Sequence, residues 1–170
     1  TRRILGEITD TVVTRARADI AVIRRVGDAP LKHFFLPTAG GEHARTAAEY
    51  ASSLARHQNG SLTLCKIIRP DSTLEMHRQA EDTLDHATEE LSNVGAVHQE
   101  ILISDSVVKT ILERGSELDA IVIGAAGRAS YRQLLLGNIP ELVAQKSSKT
   151  VIIFKRYNPV KALFGRVMDA

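Results

Sequence analysis

The chain lacks most of the residues on which several classes of protein depend. It has one cysteine, Cys65, and no tryptophan, with four phenylalanines and three tyrosines among 170 residues. A disulfide framework or a multi-cysteine metal site within one chain is therefore excluded. The scarcity of aromatic residues argues against the stacking platforms that bind single-stranded nucleic acid. Cys65 lies in an apolar run, which favours a small buried side chain over a reactive thiol.

Long apolar runs and a strong charge are also missing. No apolar stretch approaches the roughly 18 residues of a membrane-spanning helix, and the first residues lack the apolar segment of a secretory signal. The formal net charge is +2, from 22 basic and 20 acidic residues, so composition predicts no attraction to nucleic acid. With 44% apolar and 25% charged residues, the chain is typical of a globular protein with a real core. We expect a reducing, cytoplasmic location, which includes the cytoplasmic face of a membrane.

Strand and helix patterns alternate between residues 31 and 156. Five apolar segments, rich in β-branched residues, are predicted strands: 33–36, 61–68, 97–103, 120–123 and 151–154. Apolar residues at helical spacing fill the four gaps between them. Continuous apolar strands are typical of a parallel sheet that is covered on both faces. The strict alternation implies right-handed crossovers and a doubly wound α/β fold.

The first 25 residues do not fit this alternation, and an internal repeat accounts for them. When the chain is shifted by 131 positions, residues 5–25 align with residues 136–156 with five identities, and their apolar positions stay in register. We interpret residues 1–25 as the last helix and strand of a preceding copy of the domain. Residues 26–30, which contain a glycine and a proline, are then the linker. The alternative is chance similarity between two helix–strand units.

The most specific motif is a set of three glycines, Gly124, Gly127 and Gly137, with the spacing Gly-x2-Gly-x9-Gly. It begins at the end of a predicted strand and finishes at the start of a predicted helix. Glycines let backbone amides approach an anion closely, and a helix N-terminus favours a phosphate by about 0.3–1 kcal/mol. On spacing alone, glycines that only shape the turns of an α/β fold are an equally open interpretation.

This motif resembles the nucleotide motif of the universal stress protein family, Gly-x2-Gly-x9-Gly-(Ser/Thr). Residues 36–44 resemble the first strand and loop of that family, and residues 136–143 resemble the start of its last helix. The resemblance covers residues 31–156. It implies a three-layer fold of the adenine nucleotide α-hydrolase type, with a five-stranded parallel sheet in the order 3-2-1-4-5. It also implies that two such domains pair through their last strands, here residues 20–24 with residues 151–154.

The same resemblance implies an adenine nucleotide, ATP or a relative, with or without Mg²⁺. The adenine and ribose side is then assigned to Pro37, Thr38 and Ala39. Ile67 would pack on the base, and Ile123 and Gly124 would lie beneath the ribose. The phosphates are assigned to Gly127, Gly137, Asn138 and Ile139.

Two of these positions depart from the family pattern. ATP-binding members usually carry Asp where this chain has Ala39, and Ser or Thr where it has Asn138. A charge-assisted hydrogen bond is worth roughly 1.5–3 kcal/mol, so the missing Asp predicts binding weakened about 10- to 100-fold. The amide of Asn138 can still donate, and Asn is a good N-cap. In the preceding copy, Glu7 stands where Asn138 stands, and this negative charge predicts no equivalent ATP binding there.

The expected function is a nucleotide-binding regulatory and dimerisation module, without catalysis and without a metal site. Tandem copies with the first loop Pro37-Thr38-Ala39-Gly40-Gly41 resemble the cytoplasmic tails of some bacterial and archaeal membrane transporters. One alternative is an assembly domain that has lost nucleotide binding, as Ala39 suggests. Another is an enzyme of the adenine nucleotide α-hydrolase type, which predicts a basic or histidine-containing first loop. This chain offers only two glycines and His43 there.

The C-terminal tail, residues 157–170, has apolar residues at helical spacing. A helix of about 11 residues is marginal alone and needs a surface on which to bury its apolar side. We expect it to dock on its own domain or on a sister domain, with contact to a membrane surface as the alternative.

Overall fold

A computed structural model describes residues 7–89, 91, 96–125 and 138–157, and within these residues strands and helices alternate as the sequence predicts. In chain order the elements are α1 (Glu7–Arg15), β1 (Ile20–Arg24), β2 (His33–Pro37), α2 (Glu42–His57), β3 (Ser61–Ile68), α3 (Leu74–Glu89), β4 (Ala96–Ile103), α4 (Val107–Gly115), β5 (Ala120–Gly124), α5 (Asn138–Lys146) and β6 (Thr150–Lys155).

The strands form one mixed sheet in the order β1-β6-β5-β2-β3-β4. The expected five-stranded, fully parallel sheet is therefore wrong in strand count and in direction. The five strands from β2 to β6 are parallel and follow the expected order. The sixth strand, β1, runs antiparallel along the outer edge of β6. Residues 20–24, which the sequence analysis interprets as the last strand of a preceding copy, join this sheet through their pairing with β6.

The predicted pairing between residues 20–24 and the last strand is confirmed within the chain. Its register runs from Ile20 opposite Lys155 to Arg24 opposite Val151. The pairing covers the edge of β6, which would otherwise expose a row of unpaired backbone groups.

Helices cover both faces of the sheet, so the structure has three layers. Successive strand residues point to opposite faces: Phe34 and Leu36 pack under α2 and α3, whereas Phe35 packs with the layer of α1, α4 and α5. The buried face of α2 carries small side chains, including Ala47 and Ala51, which let this helix lie close to the sheet. Two apolar clusters, one on each face, therefore hold the strands in place.

The predicted linker connects β1 to β2 without a helix or strand of its own. Gly27 has a positive φ of 65°, which favours glycine, and the Arg25 guanidinium donates to the Ala29 carbonyl oxygen at 2.6 Å. The predicted tail helix lies outside the described residues, apart from Tyr157. Within the described part of the chain, no helix has the length and apolar character needed to cross a membrane.

Candidate functional site

The candidate site lies where the sheet changes winding direction, at the carboxyl end of β2. This strand pairs with β3 on one side and with β5 on the other. The chain leaves β2 through α2 on one face of the sheet, and it leaves β5 towards α5 on the other face. Loops that part in opposite directions open a crevice outside the strand ends, which is where open α/β sheets bind ligands.

The loop after β2 is held in a tight turn at this crevice. The Thr38 amide donates to the Cys65 carbonyl oxygen at 2.8 Å, and the Gly40 amide donates to the Thr38 hydroxyl at 3.0 Å. Gly40 and Gly41 have φ values of 83° and 89°, a region that strongly favours glycine. Gly41 precedes α2 and makes no side-chain hydrogen bond to its first turn, and helix starts of this kind can bind an anion.

The end of β3 contributes one predicted residue and one that the sequence analysis missed. Ile67 is half-buried, so part of its apolar surface is accessible. The neighbouring Lys66 points to the other face, where its Nζ donates to the Ala39 carbonyl oxygen at 3.2 Å. Burial lowers the pKa of Lys66 below its usual value. A single lysine in a strand is usually interpreted as exposed to solvent. The one signal in the sequence that Lys66 belongs to the site is that it directly precedes Ile67.

The end of β5 shows why a glycine is needed at position 124. A Cβ on Gly124 would lie 2.7 Å from the backbone carbonyl carbon of His43, in the first turn of α2. The side chain of Ile123 is buried in the cluster on the α4–α5 face. Packing of α2 against β5 therefore explains Gly124 without a ligand, which is the turn-shaping interpretation that the sequence left open.

The phosphate side of the predicted site is described only in part. Asn138 begins α5 and is exposed, and Ile139 beside it is partly exposed. Gly127 and Gly137 lie outside the described residues. The structure thus brings the predicted residues of β2, β3 and β5 to one edge of the sheet.

Charged side chains close the back of the first loop. His43 Nδ1 accepts the backbone N–H of Arg156 at 3.0 Å, and the Arg156 guanidinium lies 3.4 Å from the Glu42 carboxylate. These contacts tie the start of α2 to the end of β6. In the described part of the chain, no group of three His, Cys, Asp or Glu side chains could hold a metal ion.

A cavity of about 610 Å³ opens beside this loop, between α2 and α3. It shares Thr38, Gly40 and Gly41 with the candidate site but lies on the opposite face of the sheet from Ile67. Arg45 on its rim pairs with Glu49, at 3.4 Å. Arg156 and Glu42, which also line the cavity, pair with each other at 3.4 Å.

Cys65 is buried, as the sequence predicts. Burial, with a smaller contribution from the nearby Glu100 carboxylate, raises the pKa of its thiol to about 12. The thiolate is the reactive form of cysteine, and it is nearly absent at neutral pH.

Comparison with known proteins decides the family. The sequence profile of the universal stress protein family matches residues 30–155. The chain belongs to the universal stress protein family. A universal stress protein of Methanocaldococcus jannaschii is 28% identical over 88 residues, which are 49% of this chain and 53% of that protein. The match thus spans about half the length of this curated relative.

Solved structures share the fold. The structure of the M. jannaschii protein superimposes with a TM-score of 0.67 at 22% identity, over 76% of this chain and 99% of that one. A universal stress protein in complex with cAMP gives 0.62 at 21% identity, over 74% and 97% of the two chains. A universal stress protein from Archaeoglobus fulgidus in complex with dAMP gives 0.62 at 18% identity, over 74% and 98%.

Proposed function

We propose that this chain is a regulatory domain that binds an adenine nucleotide at the carboxyl ends of β2, β3 and β5. The observation that carries the proposal is the first loop, where two glycines with positive φ place an uncapped helix start beside the winding switch. The cAMP and dAMP complexes of family members with the same fold support the choice of ligand class.

The side chains at this edge fit such a ligand in part. Ile67 offers apolar surface for a base, and the turn at Thr38 offers backbone groups for the ribose. Lys66 brings a positive charge to Ala39, where ATP-binding members carry a negative one. The positive charge of Lys66 would attract a nucleotide phosphate or a carboxylate. A ribose hydroxyl, in contrast, would not find at Ala39 the charged acceptor that Asp provides in other members.

Further parts of the proposal concern the identity of the ligand and the longer protein in which the domain works. We propose ATP or a close relative as the ligand, with Mg²⁺ optional, and no catalysis beyond slow hydrolysis of ATP. In this proposal the domain is one of a tandem pair on the cytoplasmic side of a longer protein, with a membrane transporter as the regulated partner. Sequencing the gene upstream of Thr1 tests the context: membrane-spanning helices followed by a full first copy support it, and an unrelated sequence contradicts it.

Titration calorimetry tests the nucleotide proposal directly. ATP, AMP and cyclic nucleotides are titrated into the 170-residue chain and into two variants that each add one negative charge, Ala39→Asp at the site and Ala29→Asp in the exposed linker. We expect weak binding to the wild type, binding about 10- to 100-fold tighter to Ala39→Asp, and no change for Ala29→Asp.

The second candidate function is an assembly domain without a nucleotide. Ala39 favours it, because it removes the carboxylate on which the family's ATP binders depend. Absence of heat and of any melting shift at millimolar nucleotide, for both the wild type and Ala39→Asp, would favour assembly over nucleotide binding.

A further inference from the structure

Lys66 is a half-buried cation without a carboxylate partner among the described residues. It lies in β3, and within these residues its Nζ makes one hydrogen bond, to the Ala39 carbonyl oxygen at 3.2 Å. The ion pairs that lysines and arginines form in this part of the chain involve other cations: Arg45, Arg69, Lys109, Arg114 and Arg156. Burial without a counter-charge disfavours the ammonium and lowers the pKa of Lys66. An anion at this position would therefore stabilise the charge.

Lys155 provides a comparison, because it is also half-buried and burial lowers its pKa in the same way. Its Nζ donates to the Val13 carbonyl oxygen at 2.8 Å, in the last turn of α1, where the helix dipole favours a cation. The Ala39 carbonyl oxygen, in contrast, belongs to a loop on the amino-terminal side of α2. Docking on a helix end accounts for Lys155 but not for Lys66.

The pairing of two strands places the Lys66 ammonium at the candidate site. Pro37 at the end of β2 pairs with Cys65 of β3, so the loop after β2 passes beside the residue that follows Cys65. The Thr38 amide holds the loop there through its hydrogen bond to the Cys65 carbonyl oxygen at 2.8 Å. Although Lys66 points away from Ile67, its Nζ thus reaches the loop to which the proposed function assigns the ribose.

Ala39 leaves this charge open to a ligand. Its methyl group can neither accept a hydrogen bond from a ribose hydroxyl nor neutralise the ammonium. The Ala39 carbonyl oxygen takes one of the three N–H donors of Lys66, so two donors remain. This loop therefore offers donors and a positive charge where ATP-binding members of the family offer a negatively charged acceptor.

We propose that Lys66 binds a phosphate ester on the ribose, so that the site prefers an adenine nucleotide phosphorylated on the 2′ or 3′ oxygen to one with both ribose hydroxyls free. A phosphate monoester carries a charge of about −1.5 to −2 at neutral pH and accepts charge-assisted hydrogen bonds from an ammonium. The inference rests on the nucleotide binding proposed above, and it adds the position of a second phosphate.

The 5′-phosphates do not account for Lys66. They are assigned to the start of α5, where Asn138 follows β5 on one side of β2, whereas Lys66 lies in β3 on the other side of β2. A nucleotide that lies across the end of β2 would meet Asn138 and Lys66 with different groups. A phosphate at Lys66 is therefore separate from those at α5.

Titration calorimetry at pH 7 compares AMP with adenosine 2′,5′-bisphosphate and adenosine 3′,5′-bisphosphate, which differ from AMP only in the added phosphate. We expect one of the bisphosphates to bind the 170-residue chain about 10- to 100-fold more tightly than AMP. The tighter of the two identifies the favoured ribose oxygen. Equal binding of all three, or tighter binding of AMP, would overturn the inference and leave the proposed nucleotide binding intact. Absence of heat with every nucleotide would contradict nucleotide binding itself, and this inference with it.

Three variants connect the preference to Lys66, and the wild-type comparison does not depend on whether they fold. Lys66→Met keeps the alkyl chain and removes the charge, so the affinity ratio of bisphosphate to AMP should fall to within about threefold of one. Lys155→Met removes the other half-buried ammonium and should keep the wild-type ratio. Ala39→Asp adds a carboxylate to the loop that Lys66 contacts and should reverse the preference in favour of AMP. An unchanged ratio in Lys66→Met would overturn the inference, because another group would then bind the added phosphate.

Discussion

The chain contains two helix–strand units, α1–β1 and α5–β6, whose residues are 131 positions apart. The two units have the same order of elements but differ in how much apolar surface they bury. In α5–β6, Val143 and Phe154 are buried under neighbouring helices. Their equivalents in α1–β1, Val12 and Ile23, are exposed. The first unit is joined to the rest by strand pairing, by apolar contacts of Val13, Ile20 and Val22, and by hydrogen bonds. Local sequence therefore decides the backbone conformation of both units, and the surrounding elements decide how much each contributes to stability.

The largest expected difference between the units is at the equivalent positions 154 and 23. Phe154→Ala removes a buried ring that packs on Tyr50, and we expect it to lower the free energy of unfolding by about 3–5 kcal/mol. Ile23→Ala acts at an exposed position, and we expect a change within about 0.5 kcal/mol. Urea denaturation of both variants measures the difference, and equal losses would mean that the two units are buried alike.

Labelling of Cys65 under native conditions sharpens the same comparison. The thiol is buried in β3 and its pKa is raised to about 12, so a disulfide reagent at pH 8 reacts only after the sheet opens. We expect Phe154→Ala to accelerate labelling about 100- to 4000-fold, since each 1.4 kcal/mol is a factor of ten. Ile23→Ala should change the rate less than about threefold. Fast labelling of the wild type would contradict the burial of β3.

Two hydrogen bonds at equivalent positions, from the Val26 amide to Thr150 and from the Tyr157 amide to Asp19, should differ less in their contribution to the free energy of unfolding. Thr150 is buried, and Thr150→Val leaves the Val26 amide without its acceptor, at a cost of about 1–2 kcal/mol. Asp19 is exposed, so water replaces it in Asp19→Ala, and we expect less than about 1 kcal/mol. Melting temperatures measure both, with Thr150→Ser as the control that retains the hydroxyl. An Asp19→Ala loss that exceeds the Thr150→Val loss would contradict this ranking.

The smallest expected effect is a pH dependence from Lys155, whose Nζ donates to the Val13 carbonyl oxygen at 2.8 Å. Burial lowers the pKa of Lys155 below its usual 10.5. Between the folded and the unfolded pKa the unfolded chain binds more protons, so stability rises with pH through that window and falls again as the pH drops. Because Lys155 is half-exposed, solvent screening keeps this below about 1 kcal/mol.

The measurement compares the wild type with Lys155→Met by urea denaturation from pH 8 to 10.5. Lys66, whose pKa burial also lowers, is present in both proteins and cancels from the difference. We expect the free energy of unfolding to rise less with pH in Lys155→Met than in the wild type. Identical pH profiles would contradict a lowered pKa for the Lys155 ammonium beside Val13.

Most of the fold could be predicted from the sequence, because the five parallel strands are rich in apolar residues, although β4 also carries His98, Gln99 and Glu100. The direction of β1, and the sheet to which it belongs, could not be predicted. A five-residue apolar segment has the same pattern in a parallel or an antiparallel pair, and in its own sheet or in a neighbouring one. The repeat and the family resemblance together indicated the partner of β1, but only the register shows that both strands belong to one sheet.

The candidate site could be predicted as far as its motif reaches. The glycine spacing and the first loop indicated which strand ends meet. The contact between Lys66 and Ala39 depends on the alignment of β2 with β3, which places Pro37 opposite Cys65. The need for Gly124 depends on how closely α2 approaches β5, a distance set by the small side chains of α2. Contacts between elements of this kind have no local sequence signal.

The linker has a further consequence for association with other molecules. Because β1 is antiparallel, it ends on the side of the sheet where β2 begins, and three strand spacings separate the two, about 14 Å. Residues 25–32 can span up to about 27 Å, so the tether holds β1 at the β6 edge without strain. A short tether gives an effective concentration in the millimolar range, about a thousand times that of a free competitor at micromolar concentration. The chain thus inhibits edge pairing of β6 with any second molecule.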